Sequence, residues 1–170
     1  RAAPPGRCTM KPVLVEPIDA AAFAPFGSLV AHAGGDGRDY LPLDLTAGED
    51  LRARNWTMRL AGHPGDGLLV STLERHPAST QAFVTLGGDG LLAVVAPTAA
   101  DGWPVASGLR AFRVPPGSGV IYHRDTWHHG MVALGKGSDV FIVMGLRADG
   151  RDTVWAELST PVPVTGLMGN

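Results

Sequence analysis

Short runs of apolar or alternating residues, separated by glycine and proline, dominate this chain. The runs are rich in valine, threonine and aromatic residues, and there are 23 glycines and 14 prolines in 170 residues. Runs of this length and content favour β-strands. The predicted strands are 12–16, 28–31, 54–60, 68–75, 81–86, 91–96, 109–114, 119–122, 127–134, 140–146 and 153–158. About ten short strands at turn-punctuated spacing predict an all-β fold, either a barrel or a jelly-roll sandwich.

One short helix and one irregular segment complete the predicted architecture. Asp19 is suited to cap a helix that starts at Ala20, and Pro25 with Gly27 ends it after about two turns. Residues 33–50 show no clear period and contain Gly-Gly-Asp-Gly, so we expect a loop or lid there. The length suits one domain, which we place at 12–170 behind a flexible lead of residues 1–11.

The charge balance and the cysteine count narrow the classes of function. Charged residues make up 18% of the chain and the net charge is −2, so there is no basic excess to bind nucleic acid. No apolar run is long enough to cross a bilayer. Cys8 is the only cysteine, which excludes an internal disulfide and a multi-cysteine zinc site. We therefore expect a cytoplasmic protein that binds a small carboxylate.

A glutamate and a histidine two residues apart form the first candidate site. Glu74 and His76 fall on one predicted strand, where alternate residues share a face. Gln81 begins the next strand after a turn and would return close to His76. With one more histidine, these side chains are suited to bind a divalent metal such as Ni, Mn or Zn. The alternative is structural: Glu74 pairs with a neighbouring arginine and His76 caps the strand before Pro77.

Three further histidines lie in a second segment, residues 122–129. His123 follows a turn that feeds a short strand, and a neutral imidazole there can act as base, acid or metal ligand. His128 and His129 point to opposite faces if their segment is a strand, so at most one faces the pocket. His129 is a candidate for substrate contact, although the sequence leaves open which of the two faces inward.

Arginines embedded in predicted strands are candidates for binding a carboxylate. Arg59 ends an alternating run, and Arg110 lies two residues before Phe112. An inward-facing arginine in an apolar barrel needs an anionic partner, and its fork geometry suits a carboxylate. The alternative for each is an outer, solvated position.

These motifs, taken together, resemble those of the ureidoglycolate lyase family. The resemblance rests on Leu-Glu-Arg-His-Pro at 73–77, Thr-Gln-Ala-Phe at 80–83, Leu-Arg-Ala-Phe at 109–112, Gly-Val-Ile-Tyr-His-Arg at 119–124 and Trp-His-His at 127–129. It implies a cupin-type β-barrel (a jelly roll), usually a homodimer, that releases urea and glyoxylate from (S)-ureidoglycolate in allantoin catabolism.

The resemblance also suggests roles for the candidate residues. His123 would be the base or a metal ligand, Glu74 and His76 its partners, and Gln81 an orienting hydrogen bonder, with Arg110 as the weaker candidate for the carboxylate. The same four residues, Glu74, His76, Gln81 and His123, would hold a metal, weakly because the first motif lacks the common second histidine. Segment 38–44 departs from the family pattern, which keeps two alternatives open: a related enzyme for a different hydroxy or ureido acid, and a non-catalytic carboxylate-binding module.

Overall fold

The computed structural model describes residues 10–45 and 50–168. Most of the expected N-terminal lead, residues 1–9, lies outside the described residues, as do 46–49 of the expected lid. The elements are β1 (Val13–Pro17), α1 (Ala20–Phe23), β2 (Gly27–Val30), β3 (Leu51–Ala61), β4 (Gly67–Arg75), β5 (Gln81–Gly88), β6 (Leu91–Ala96), β7 (Arg110–Val114), β8 (Gly119–Tyr122), β9 (Trp127–His128), β10 (Val132–Ala133), β11 (Gly137–Arg147) and β12 (Val154–Thr165). A short 3₁₀ turn, Ala106–Gly108, precedes β7.

The strands form two sheets, and the larger one closes on itself. Its order is β10-β6-β7-β1-β12-β4-β9, and β9 pairs with β6 as well as β4. Six strands therefore make a ring, which is how a sheet removes its exposed edges. The second sheet has the order β2-β8-β5-β11-β3. The all-β barrel with a short N-terminal helix is confirmed, and the two-sheet arrangement is consistent with a jelly roll.

Two hydrophobic cores follow from the alternation of side chains along the strands. Strand β6 shows this best, because Leu91, Ala93 and Val95 belong to one core while Leu92, Val94 and Ala96 belong to the other. All six strands of the ring contribute to the second core, so it lies inside the ring. The first core lies between the ring and the five-stranded sheet. The outer face of the ring and the inner face of the second sheet therefore meet, and residues of both can form one site.

The observed helix is shorter than predicted. Asp19 caps it as expected, since its Oδ1 accepts a hydrogen bond from the Ala22 backbone N–H at 2.9 Å. The helix makes only one turn before the chain enters β2, and Phe23 is fully buried against the first core. Among the described residues, no helix has the length and apolar character to span a bilayer.

Most predicted strands match within a few residues at each end, and two differ more from the observed ones. The predicted strand 127–134 is two short strands, β9 and β10, with Gly130 in the break. Strand β12 runs to Thr165, well beyond the predicted end, and contains Pro161 and Pro163. A register shift between Glu157 and Val162 accommodates this stretch opposite β4. Prolines normally argue against a strand interior, which explains the early predicted end.

Candidate active site

Glu74, His76 and His128 converge between the two sheets. Glu74 lies directly opposite His128 in the pairing of β4 with β9. One potential ligand atom from each of the three side chains lies within 4.8 Å of the other two. The two imidazole centroids are 5.3 Å apart, and Glu74 Oε1 is 3.5 Å from His128 Nε2. The His128 side chain is 1% exposed, while that of Glu74 is 14% exposed, so solvent reaches the group at the glutamate.

Backbone carbonyls fix which ring nitrogen of each histidine carries the proton. His76 Nδ1 lies 3.2 Å from the Asp152 carbonyl oxygen, and His128 Nδ1 lies 2.9 Å from that of Thr126. Because a carbonyl only accepts, each Nδ1 must donate to it, which leaves both Nε2 atoms unprotonated in neutral rings. Both Nε2 atoms are buried and have no hydrogen-bond partner. Two lone pairs beside a carboxylate form a site for a cation, either a proton or a metal ion.

The five-stranded sheet closes the other side of this group. Gln81 on β5 is buried, and its Nε2 donates to Met144 Sδ at 3.3 Å. Its Oε1 is buried without a partner. Tyr122 on β8 lies opposite Gln81, and its ring stacks on His128 with centroids 4.3 Å apart. Its hydroxyl is a further buried atom without a partner. Unpaired buried polar atoms are uncommon, and four of them around one point indicate a place for a ligand.

Burial and mutual charge set the protonation states at neutral pH. Burial, the largest influence on Glu74, favours its neutral form, but a protonated His128, through its hydrogen bond and its charge, and then the charges of His76 and His129 outweigh burial, so the pKa of Glu74 lies below its ordinary 4.5. Burial and then the nearby His128 lower the pKa of His76 below its ordinary 6.5, against the opposing charge of Glu74. The site therefore presents a carboxylate and a neutral His76, which is the donor state that a metal ion requires.

An ion pair on the opposite face of β4 supports the group. Arg75, between Glu74 and His76, pairs with Asp125, Nε to Oδ1 at 3.3 Å, and its guanidinium lies 4.6 Å from the ring centroid of Trp127. The Asp125 backbone N–H also donates to the His76 carbonyl at 3.0 Å. These contacts fasten β4 to the segment that carries His128. They also rule out the alternative in which Glu74 pairs with Arg75.

Comparison with known proteins identifies the family of the chain. Residues 38–165 match the family model described as "Ureidoglycolate lyase". The chain belongs to the ureidoglycolate lyase family. A ureidoglycolate lyase of Burkholderia mallei (strain NCTC 10229) is 36% identical over 157 residues, covering 84% of this chain and 87% of that protein. A ureidoglycolate lyase of Pseudomonas putida (strain W619) is 33% identical over 148 residues, covering 79% and 84%.

Among solved structures, the chain aligns with a dTDP sugar isomerase from Desulfovibrio desulfuricans G20. The TM-score is 0.46 at 15% sequence identity, over 79% of this chain and 83% of that one. This degree of likeness establishes neither fold nor function.

The structure brings Glu74, His76 and Gln81 together, as the family resemblance implied, but does not bring His123 to them. His123 is exposed, and its Nε2 lies 3.1 Å from the Ala24 carbonyl oxygen. The reason is the alternation of β8: Tyr122, the last strand residue, points inward, so the next residue points outward. The position expected for His123 is occupied by His128. The sequence carried a signal for an inward-facing histidine at this point, since the adjacent His128 and His129 must face opposite sides of their strand.

The other three candidate residues lie outside this group. Arg110 bonds to Glu16 Oε1 through Nε at 2.9 Å and to the Ala22 carbonyl, and it lines a surface groove of about 600 Å³ together with His123. Arg59 is 80% exposed and pairs with Asp139. His129 is only partly buried, and its Nδ1 bonds to the Gly130 carbonyl at 2.7 Å. Each of the two arginines already has a carboxylate partner, whose negative charge weakens the attraction of the arginine for a substrate anion.

Arg54 is a cation that sequence reasoning missed. It pairs with Met144 across β3 and β11, and Met144 pairs with Gln81 across β11 and β5. Directly paired residues of a sheet share a face, so Arg54 lies on the same face as Gln81, two strands away, or roughly 10 Å between backbones. Within the described part of the chain, Arg54 forms no ion pair; its one hydrogen bond goes to the Ala53 carbonyl. The shared face of Arg54 and Gln81 is visible only from the register of three strands. In the sequence, Arg54 is the first residue of a predicted strand and belongs to none of the candidate motifs.

Proposed function

We propose that this protein is a ureidoglycolate lyase, a carbon–nitrogen lyase on a cupin-type barrel that converts (S)-ureidoglycolate to glyoxylate and urea in allantoin catabolism. Family membership supports the reaction class. The observation that carries the proposal is the convergence of the Glu74 carboxylate with two imidazoles whose Nε2 atoms are buried without a partner. A carboxylate in this setting suits a substrate that must lose a hydroxyl proton.

The donor set fits a divalent cation. Glu74, His76 and His128 would hold it, with Gln81 Oε1 adjacent, and imidazole with carboxylate is a common donor set for Ni, Mn or Zn. When bound, the ion would act as a Lewis acid on the substrate hydroxyl. The Nδ1 bonds to Asp152 and Thr126 carbonyls orient the imidazoles, as outer contacts do in metal proteins. We propose weak binding, because the adjacent Gln81 is a neutral amide where a further imidazole or carboxylate donor is common.

Glu74 is the residue that we propose as the base, in place of His123. Its carboxylate is ionised and is the part of the group that solvent reaches. It takes the proton of the substrate hydroxyl, the oxygen electrons form the aldehyde C=O, and the C–N bond breaks with its electrons moving to nitrogen. The protonated Glu74 then returns the proton to that nitrogen, which gives urea. The atoms balance without water, so the reaction is an elimination.

We propose that Arg54 binds the substrate carboxylate, the role first suggested for Arg110 and Arg59. Arg54 shares a sheet face with Gln81, and an arginine side chain covers much of the distance of two strands. Its guanidinium has no acidic partner among the described residues, so no neighbouring carboxylate offsets its attraction for an incoming anion. A two-pronged contact with a carboxylate would orient the carbinol carbon towards Glu74.

Turnover of (S)-ureidoglycolate, with glyoxylate measured directly, tests the proposal. Release of glyoxylate supports it. Turnover of other hydroxy or ureido acids alone would favour a related enzyme, and binding without turnover would favour a carboxylate-binding module. One observation keeps the first alternative relevant: Asp44, at the end of the divergent segment 38–44, bonds to Thr80, next to Gln81. The divergent segment thus approaches the site and can influence which acid fits.

We further propose a homodimer that acts in the cytoplasm without nucleic acid or membrane partners. Strand β3 supports a dimer: it is 11 residues long, and no described strand pairs with its edge opposite β11. A long open edge is a template for pairing with another chain. Light scattering coupled to size-exclusion chromatography would give twice the chain mass for a dimer, and the single-chain mass would refute it.

A further inference from the structure

The hydroxyl of Tyr122 is a polar group that the fold leaves without a partner. Tyr122 is 1% exposed, and its Oη makes no hydrogen bond within the described residues. The ring itself is well packed, against His128 at 4.3 Å and against Phe83 and Phe23 at 6.0 and 6.1 Å between centroids. Leaving a buried hydroxyl unpaired costs free energy, and a phenylalanine would fill the same space without that cost. The hydroxyl therefore needs an explanation other than packing.

The hydroxyl lies at the group formed by Glu74, His76 and His128. Tyr122 is directly opposite Gln81 in the sheet, and its ring is nearly parallel to that of His128, with 18° between the planes. A phenol hydroxyl can donate one hydrogen bond, so Tyr122 can donate to a molecule bound at this group.

We propose that the Tyr122 hydroxyl donates a hydrogen bond to the substrate during cleavage, to the ureido carbonyl oxygen, on which negative charge grows as the electrons of the breaking C–N bond move to the adjacent nitrogen. This role rests on the proposed lyase function. No proton is transferred from Tyr122; the proton shuttles between the substrate hydroxyl, Glu74 and the leaving nitrogen. A donor that is held in place by packing is suited to stabilise charge that develops only in the transition state.

The substitution Tyr122→Phe tests the role, because it removes one oxygen and keeps the stacked ring. We expect kcat to fall about 10- to 100-fold, the effect of losing a hydrogen bond to a charged group, with KM changed by less than about three-fold. The melting temperature should stay the same or rise, because an unpaired buried hydroxyl is lost.

The possible results separate the two proposals. A Tyr122→Phe enzyme with wild-type kcat would overturn the role of Tyr122 and leave the lyase function standing. A rise in KM alone would also overturn it, because the contact would then be to the bound ground state. A wild-type protein that releases no glyoxylate would overturn the lyase function and this role with it. Should Tyr122→Phe lower the melting temperature, kcat per folded molecule, with folding measured by circular dichroism, still decides the question.

Discussion

The adjacent histidines His128 and His129 offer the sharpest test of the site, because they differ in position and not in chemistry. Replacing His128 with Asn removes Nε2, the atom that faces Glu74. The Asn amide takes the place of Nδ1 and can still donate to the Thr126 carbonyl. The same change at His129 removes a ring that is partly exposed and whose Nδ1 hydrogen-bonds to the carbonyl of the next residue, Gly130.

The expected effects on activity and stability can be estimated separately. Loss of His128 Nε2 removes one of three donors at the cation site, and groups with acid–base or ligand roles typically contribute about 10²-fold or more to turnover. For stability, the main loss is the stacking on Tyr122, roughly 0.5–1.5 kcal/mol for an aromatic pair. A chain of this length loses about 2–4 °C in melting temperature per kcal/mol, so His128→Asn should remain folded at 25 °C.

Both variants are assayed for glyoxylate release, with melting temperature measured on the same preparations. We expect His128→Asn to lose at least about 10²-fold in kcat/KM and His129→Asn to stay within about two-fold of the wild type. Equal activities in the two variants would refute the placement of His128 in the site. So would a His129→Asn enzyme that is the more impaired of the two.

Three further predictions concern metal, pH and the substrate carboxylate. Exhaustive chelation should lower turnover without unfolding the protein, because two hydrophobic cores stabilise the fold. Cooperative unfolding on chelation would instead indicate a structural metal. Folding lowers the pKa of His76, so below pH 6.5 the unfolded chain binds more protons than the folded one, and the free energy of unfolding should fall as the pH drops. His76→Gln should show a shallower fall. Parallel plots of unfolding free energy against pH for the two proteins would contradict the lowered pKa of His76. Arg54→Gln should raise KM for ureidoglycolate about ten-fold or more, the effect of a charge-assisted hydrogen bond, while Arg59→Gln, on the exposed pair with Asp139, should not.

The strands and the first motif were predictable because both are local patterns. Alternation fixes which residues of one strand share a face, so Glu74 and His76 could be assigned to one site from their spacing alone. The cap at Asp19 is equally local and was confirmed. The all-β barrel followed from many short strands with strong breakers between them.

The remaining parts of the site depend on pairing between strands that are distant in sequence. Whether His123 or His128 faces Glu74 depends on the exact end of β8 and on a two-residue strand, β9, that pairs with both β4 and β6. A change of one residue in such a short strand reverses the faces. The position of Arg54 on the same face as Gln81 depends likewise on the register of β3, β11 and β5. None of these registers is encoded in a local pattern.

The central claim is that Glu74, with its two histidines, cleaves ureidoglycolate by elimination. The most direct test measures glyoxylate, urea and ammonia together after incubation of (S)-ureidoglycolate with the wild-type enzyme and with Glu74→Gln. The account predicts equal amounts of glyoxylate and urea, no ammonia above the background, and neither product above background with Glu74→Gln. Ammonia in place of urea would show hydrolysis of the ureido group, and undiminished glyoxylate release by Glu74→Gln would show that the base lies elsewhere.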